Sequence, residues 1–443
     1  MFRANGWIEL THELNTEAIA VIAGCFVLWG ALARRLERWN LSAPLVFVVF
    51  GLAVTHPPLS LMHLNLHSST IRYLAELTLA LILFSDASRV SVRQLRSDIA
   101  LPVRLLAIGL PLTIGFGTAA AAALFGGSSL WLPALIAAIV APTDAALGAS
   151  ILQDKRVPSG VRRLLNVESG LNDGMATPFV NLFLAGVLSQ QISGSTGITS
   201  SVVDVLLGAV IGAAVGGAGA WILMRARLNA WSDGMSGSLA VLGLALLGYA
   251  LAVESGTNGF VAAFVAGIAY GALTPTSEKM AMGFTDRTGE LLSLLVWFAF
   301  GAIMLIPGLE DATWRDVAFA VLALTVIRIG SVAVATLGSG LGQPTVLFVG
   351  WFGPRGLASV VFALIAVDTL DPSDGRTVLA AVTMTVALSV VAHGVSALPF
   401  TSLYLRGIAG LERGRPEHTP STDIPVRALH PEWWHPPHNP DKE

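Results

Sequence analysis

The sequence predicts an all-α polytopic membrane protein of about thirteen transmembrane helices, and three observations carry that prediction. Of 443 residues 54% are hydrophobic and only 12% charged, about half the roughly 25% charge of a soluble domain, and mean hydropathy is +0.70. Too few charges exist to coat several soluble domains. Apolar runs of about 20 residues recur, each able to cross roughly 30 Å of hydrocarbon as a helix. They are continuously apolar, which argues against a large barrel of alternating ten-residue strands, and in lipid a helix satisfies its own backbone. Finally, arginine and lysine collect in alternate loops, as the positive-inside rule requires.

In order, the spans fall at 16–33, 43–54, 70–88, 99–125, 129–153, 160–189, 201–224, 236–254, 257–273, 288–306, 314–336, 344–368 and 376–404. One side of this ladder holds Arg34, Arg35, Arg38, Arg89, Arg93, Arg96, Lys155, Arg156, Arg162, Arg163, Arg225, Arg227, Lys279, Arg287, Arg406, Arg413 and Arg415; the other holds Arg3, Arg72, Arg315 and Arg376. The N-terminus is therefore expected outside and the C-terminus in the cytoplasm. The segment before span one is mixed polar and acidic, without the basic start of a cleavable signal. Span one contains Cys25, the single cysteine, which permits no internal disulfide and reads as a small buried residue. Gly208, Gly212 and Gly216 recur every fourth residue in span seven, allowing close helix approach, with a dimer interface as one setting. Residues 1–404 form the membrane domain and 405–443 a proline-rich cytoplasmic tail expected to lack a fixed fold. His430, His435 and His438 in that tail, and His56, His63, His67 and the membrane-embedded His393, are set aside as metal ligands or dedicated pH sensors. The net charge of −3 says nothing about partners, and no nucleic acid or cofactor is expected.

Two spans break their own rules. IVAPTDAALGAS (139–150) in span five and GWFGPRGLASVV (350–361) in span twelve place proline beside charge at mid-length. Irregular backbone at membrane depth survives only around a protein-lined or water-filled cavity, so the pair marks a transport site. Seven crossings separate them, an odd number, as inverted repeats require. Span six carries NVESGLNDGMATPF (166–179). Helical spacing puts Ser169 with Asp173 on one face and Glu168 with Asn172 on the adjoining face. A carboxylate in low dielectric prefers a proton unless a cation replaces it, so Asp173 suits an alternating site. A hard ion such as sodium would take oxygen ligands from Asp173, Ser169 and the Thr143 region. Asp144, just after Pro142-Thr143, cancels helix N-terminal charge and either caps alone or also coordinates the ion. Arg355 at depth needs a carboxylate partner, for which Glu168 is chosen. Asp86 in LFSDASRV (83–90) either lines a cytoplasmic funnel or is a helix-end charge.

APTD, ESGLNDG and GPRGLAS, in this order, resemble the NhaP-type monovalent cation:proton antiporters, with LFSDAS and SGTNGFVAAFVAGIAYG (255–271) extending the likeness across the membrane portion. The resemblance implies the sodium/proton antiporter fold with inverted repeats and two broken helices, a core and a dimerisation subdomain, alternating access, and a homodimer in the inner cell membrane serving pH homeostasis. It implies that Asp173 is the essential proton and cation carboxylate and Asn172 its amide neighbour. Ser169, Thr143 through its carbonyl, Asp144 partly through water, and Asp86 stand where the other ion ligands do; Asp86 departs from the longer acid common there. Glu168 and Arg355 resemble the family's core ion pair. The function expected is Na+ (and Li+) exchange for H+, electroneutral because Asn172 cannot titrate and Glu168 is held ionised. K+/H+ exchange is the alternative. An intramembrane hydrolase built on Ser169 and His393, the remote competitor, lacks an oxyanion site and an orienting partner; no phosphate-cradling GxxxxGK[ST] motif supports an ATP-driven pump.

Overall fold

The computed structural model describes residues 16–39, 41–62, 64–89, 100–127, 129–191, 197–274, 282–410 and 417, and these contain helices and no strand. His63, the tail histidines, and Arg3, Arg93, Arg96, Lys279, Arg413 and Arg415 lie outside the described residues. The spans appear as α1 (Thr16–Arg38), α2 (Ala43–Thr55), α3 (Ser69–Arg89), α4 (Ala100–Phe125), α5a (Trp131–Val140) with the one-turn α5b (Ala149–Leu152), and α6 (Ser159–Gln191). They continue as α7 (Gly197–Leu228), α8 (Gly234–Glu254), α9 (Gly259–Leu273), α10 (Met282–Glu310), α11 (Trp314–Ala335), α12a (Gln343–Trp351) with α12b (Leu357–Thr369), and α13 (Pro372–Ala409). The crossings predicted from hydropathy thus each have a helix or a broken pair.

Local chemistry explains the ends. Asp233 and Asn258 accept backbone N–H groups at the starts of α8 and α9, and Thr313 with Asp316 forms a capping box at α11. Among the described residues three helices contain a single π turn: Leu105–Gly109 in α4, Phe300–Met304 in α10 and Ala323–Ile327 in α11. Such turns widen the helix and release carbonyls, often at functional sites.

Packing sorts the helices into two groups. α7 packs along α9, α9 along α3, α10 along α3 and α2, and α8 against α7 and α9. In the second group α4 and α6 pack on α5a, α11 on α12a and α13, and α12b on α13; the last turns of α10 also reach α13. The glycine stripe of α7 belongs to the first group. A Cβ at Gly208, Gly212 or Gly216 would fall 2.6, 2.3 and 2.2 Å from the carbonyl oxygens of Asn258, Ala262 and Ala266. The stripe therefore lets α7 lie on α9 within one chain, and the dimer-interface setting is not where these glycines are used. The tail boundary also moves. α13 continues to Ala409, and Glu417 is buried, accepting from the Gly342 backbone N–H and, at 2.8 Å, from Thr345 Oγ1 at the start of α12a. At least this tail residue has a fixed seat, because its carboxylate accepts from one backbone N–H and one hydroxyl at a helix start, where negative charge is favoured.

Candidate functional site

The breaks in α5 and α12 cross, and each supplies the charge the other lacks. α5a ends pointing its last carbonyls at the second break. Ser359 Oγ donates to the Ile139 carbonyl at 2.7 Å, and Arg355 Nη1 donates to Ala141 at 2.5 Å and Pro142 at 3.2 Å. Arg355 Nη2 also reaches the Ala323 carbonyl, at 3.3 Å, where the π turn of α11 begins. In return Asp144 sits at the start of α12b: Oδ2 accepts from the Leu357 N–H at 3.0 Å and Oδ1 from the Ala146 N–H at 2.7 Å, while its own N–H donates to the Pro354 carbonyl at 2.7 Å. A cation thus meets the negative end of one half-helix and an anion the positive end of another. Gly356 makes the second contact possible, because a Cβ there would lie 2.1 Å from Asp144 Oδ2.

The expected Glu168–Arg355 pair is not formed. Glu168 is held by Arg328 of α11 in a two-pronged contact, Nη1 to Oε1 at 2.5 Å and Nη2 to Oε2 at 2.8 Å, with both side chains buried. Fork-to-fork geometry neutralises carboxylate and guanidinium together, which a buried pair requires. Arg355, 0% exposed, uses the carbonyls instead. Arg328 is the residue the sequence reading misses, although the signal was present: it is a lone basic residue in the apolar run of span eleven, as anomalous as Arg355.

Beside this anchor lies the polar cluster of α6. Asn172 Nδ2 donates to Thr143 Oγ1 at 2.6 Å, and Thr143 Oγ1 lies 3.0 Å from Ser169 Oγ. All three are buried, and Asn172 Oδ1 is a buried oxygen without a hydrogen-bond partner. Such an atom is costly unless something electropositive reaches it. Thr143 takes part through its hydroxyl. Asp173, one residue on, is less buried than Glu168, Ser169 or Asn172, which suits a group that must meet water. Asp86 of α3 faces the same helix: a Cβ at Gly170 would touch the Asp86 Cβ at 3.5 Å. Deeper along α6, Gly174 leaves room for the ring of Phe264 from α9. The structure therefore gathers Thr143, Asp144, Ser169, Asn172 and Asp173 around the α5 break and α6, with Asp86 beside it from the other helix group.

His393 and Ser169 do not face one another. The His393 nitrogens lie 2.8 Å from the Trp351 carbonyl and 2.8 Å from the Ser389 carbonyl, whereas Ser169 meets Thr143. No nucleophile–base pair is assembled from them. Ser389 Oγ in turn accepts from the Arg355 N–H at 2.7 Å, so α13 clamps the α12 break.

Crossed, interrupted half-helices with a buried polar cluster at their junction define a membrane transporter. The chain belongs to the sodium/hydrogen exchanger family, whose transmembrane model matches residues 19–402. It is similar to a Na(+)/H(+) antiporter of Schizosaccharomyces pombe, 30% identical over 300 residues that make up 63% of this chain and 62% of that protein. It is similar as well to the K(+)/H(+) antiporter NhaP of Alkalimonas amylolytica, 27% identical over 353 residues, 78% of this chain and 60% of the relative. The chain thus spans less than two thirds of the length of either relative. Its fold matches that of the sodium proton antiporter MjNhaP1 from Methanocaldococcus jannaschii with a TM-score of 0.72 at 21% identity, over 90% of this chain and 99% of that one.

Proposed function

We propose that this protein is a secondary antiporter exchanging one Na+, or Li+, for one H+ by alternating access. The observation that carries the reading is the cluster around Asn172: a buried amide oxygen without a partner, the Ser169 hydroxyl and the half-buried Asp173 carboxylate on adjoining faces of α6, and the Thr143 hydroxyl from the α5 break. These are hard oxygen donors, suited to an alkali cation. Asp173 binds a proton or a cation, not both, because either neutralises the same charge. Thr143 and Ser169 hydroxyls and the Asn172 amide oxygen complete the cation's shell, with Asp144 and Asp86 at its edge.

Electroneutrality follows from counting titrating groups. Asn172 carries none, Glu168 is committed to Arg328, Arg355 to carbonyls, and Asp144 to the Leu357 and Ala146 N–H groups, with Asp86 taken to keep its charge throughout the cycle. Asp173 alone then carries charge +1 in each direction, so the membrane potential does no work on the cycle; a 2:1 exchanger would gain or lose about 2.3 kcal/mol per 100 mV. Potassium in place of sodium is the second reading, favoured by the likeness to a K(+)/H(+) antiporter. The inner cell membrane as location, an outside N-terminus, the division into core and dimerisation subdomains and a homodimer complete the proposal; the arginine-rich loops and the two packing groups support it.

The test is a reversal experiment in proteoliposomes. With potassium first shown not to be transported, valinomycin clamps the potential while a sodium gradient is balanced against pH. The balance point is expected to ignore the potential, and a shift with the clamp would overturn the one-carboxylate cycle. Asp173→Asn keeps the shape but cannot release a proton, so exchange should fall below about one-tenth of wild type with the folded protein retained.

A further inference from the structure

The two helix groups meet along a seam, and at the end of that seam away from the arginine-rich loops one guanidinium joins them. Arg72, in the first turn of α3, donates through Nε to Glu76 Oε1 at 2.8 Å, one helical turn on, and through Nη1 to Asp368 Oδ2 near the end of α12b. Glu76 is itself buried, and Tyr249 of α8 donates to its other oxygen at 2.7 Å. The first group therefore builds a receiver, Tyr249–Glu76–Arg72, in which the guanidinium is aimed before Asp368 arrives. His67, before α3, brings Nδ1 to 3.6 Å from the same Asp368 carboxylate. One layer deeper, Phe362 of α12b meets Phe260 of α9 edge-on, with ring centres 6.1 Å apart, and Phe260 packs on Tyr249 at 5.5 Å.

We infer that Arg72 and Asp368 form a latch that holds this end of the seam shut over the Phe260–Phe362 contact, and that the latch must part for the site to open on that side. The inference rests on the alternating-access reading. It follows from where the residues sit: neither touches the Asn172–Thr143–Ser169 cluster, yet their contact crosses between α3, packed with α9 and α10, and α12b, packed with α13. An ion pair inside one rigid group would be unaffected by relative motion of the groups. A pair that spans them is made in one arrangement and lost in the other, so it biases the equilibrium between them. Both partners are partly exposed, so water replaces the lost contact and the bias is moderate, about two- to fivefold in the ratio of closed to open forms.

The experiment reads that ratio directly. Cys25 is the single cysteine, so Cys25→Ala with Ala366→Cys, one turn beyond Phe362 on α12b, gives one reporter in the seam. A membrane-impermeant maleimide is added from the latch side of reconstituted vesicles. In this background Asp368→Asn and Arg72→Ala should speed labelling about two- to fivefold, while Arg72→Lys, which keeps the charge, stays near the slow parental rate. In the Cys25 protein the same variants should lower the apparent cation KM from the latch side and raise it from the opposite side by a like factor, with maximal exchange rate little changed. A structural role alone would move both KM values the same way or neither. Asp368→Asn leaves the Arg72–Glu76–Tyr249 receiver intact, so it reports even if Arg72→Ala fails to fold. Unchanged labelling and unchanged KM values in a folded Asp368→Asn protein overturn the latch. Absence of cation-dependent proton movement in the parent would instead overturn the antiport reading, and labelling would still show whether the seam opens.

Discussion

The two helix breaks look alike in sequence, proline beside charge, but their surroundings are opposite. The break in α12 is sealed: residues 352–364 are buried without interruption, Arg355 and His393 hold it to α5a, α11 and α13, and beside it Arg328 of α11 pairs with Glu168 of α6. The break in α5 is sealed only up to Thr143; Asp144 through Gly148 are partly exposed, and α5b is a single turn. Similar signals thus serve different ends. The α12 break is an anchor whose arginine terminal nitrogens are engaged by neighbouring helices, while the α5 break keeps a partly exposed flank against which oxygen donors remain available.

That contrast can be broken most forcefully at the anchor. Glu168→Gln leaves the Arg328 guanidinium buried without its carboxylate, which costs about 3–5 kcal/mol, and the melting temperature in detergent should fall steeply. A Glu168→Gln protein that melts like wild type would mean the α6–α11 ion pair beside the α12 break is no anchor. At the α5 side the effect should fall on transport. Thr143→Val keeps the shape but removes the hydroxyl joining Asn172 to Ser169, at about 1 kcal/mol of stability. The cation KM should rise about tenfold, equivalent to roughly 1.4 kcal/mol of binding; an unchanged KM would remove Thr143 from the site. The smallest effect lies on the connection after α5b. Hydrogen bonds from the Arg156 side chain, with Nη2 at 2.7 Å, hold the Asp154 carboxyl below its ordinary range. A carboxyl depressed in the folded state adds stability above its unfolded value, near 3.9, and that contribution disappears as pH falls through the folded value. Wild type should therefore lose slightly more melting temperature than Asp154→Asn on acidification below about pH 4. Parallel melting curves across that range would show the contact to be without consequence.

How much of this was legible beforehand depended on the range of the interaction. The helix spans could be read because transfer into hydrocarbon is summed residue by residue along the chain. The breaks could be read because proline removes a donor and charge is costly at depth, both local facts. Ser169 beside Asp173 and Glu168 beside Asn172 followed from helical periodicity alone. Partner choice did not. Glu168 could be assigned to Arg355 on grounds of charge, but which of two buried arginines it meets depends on how α6, α11 and the α12 break are placed. The released Ala323 carbonyl and the end of α5a draw Arg355 away.

The same division holds for the rest of the molecule. The sequence by itself determined that this chain lies in a membrane, where it crosses, which two crossings fail as continuous helices and which side chains are too polar for their depth. Those properties follow from each residue's own solvation and backbone preferences. Only the tertiary structure decided that the α7 glycines serve α9, that Asp144 caps α12b while Arg355 caps α5a, and that Arg72 reaches Asp368 across 296 residues. These are contacts between segments far apart in the chain, and their energies depend on distances and angles fixed when whole helices pack.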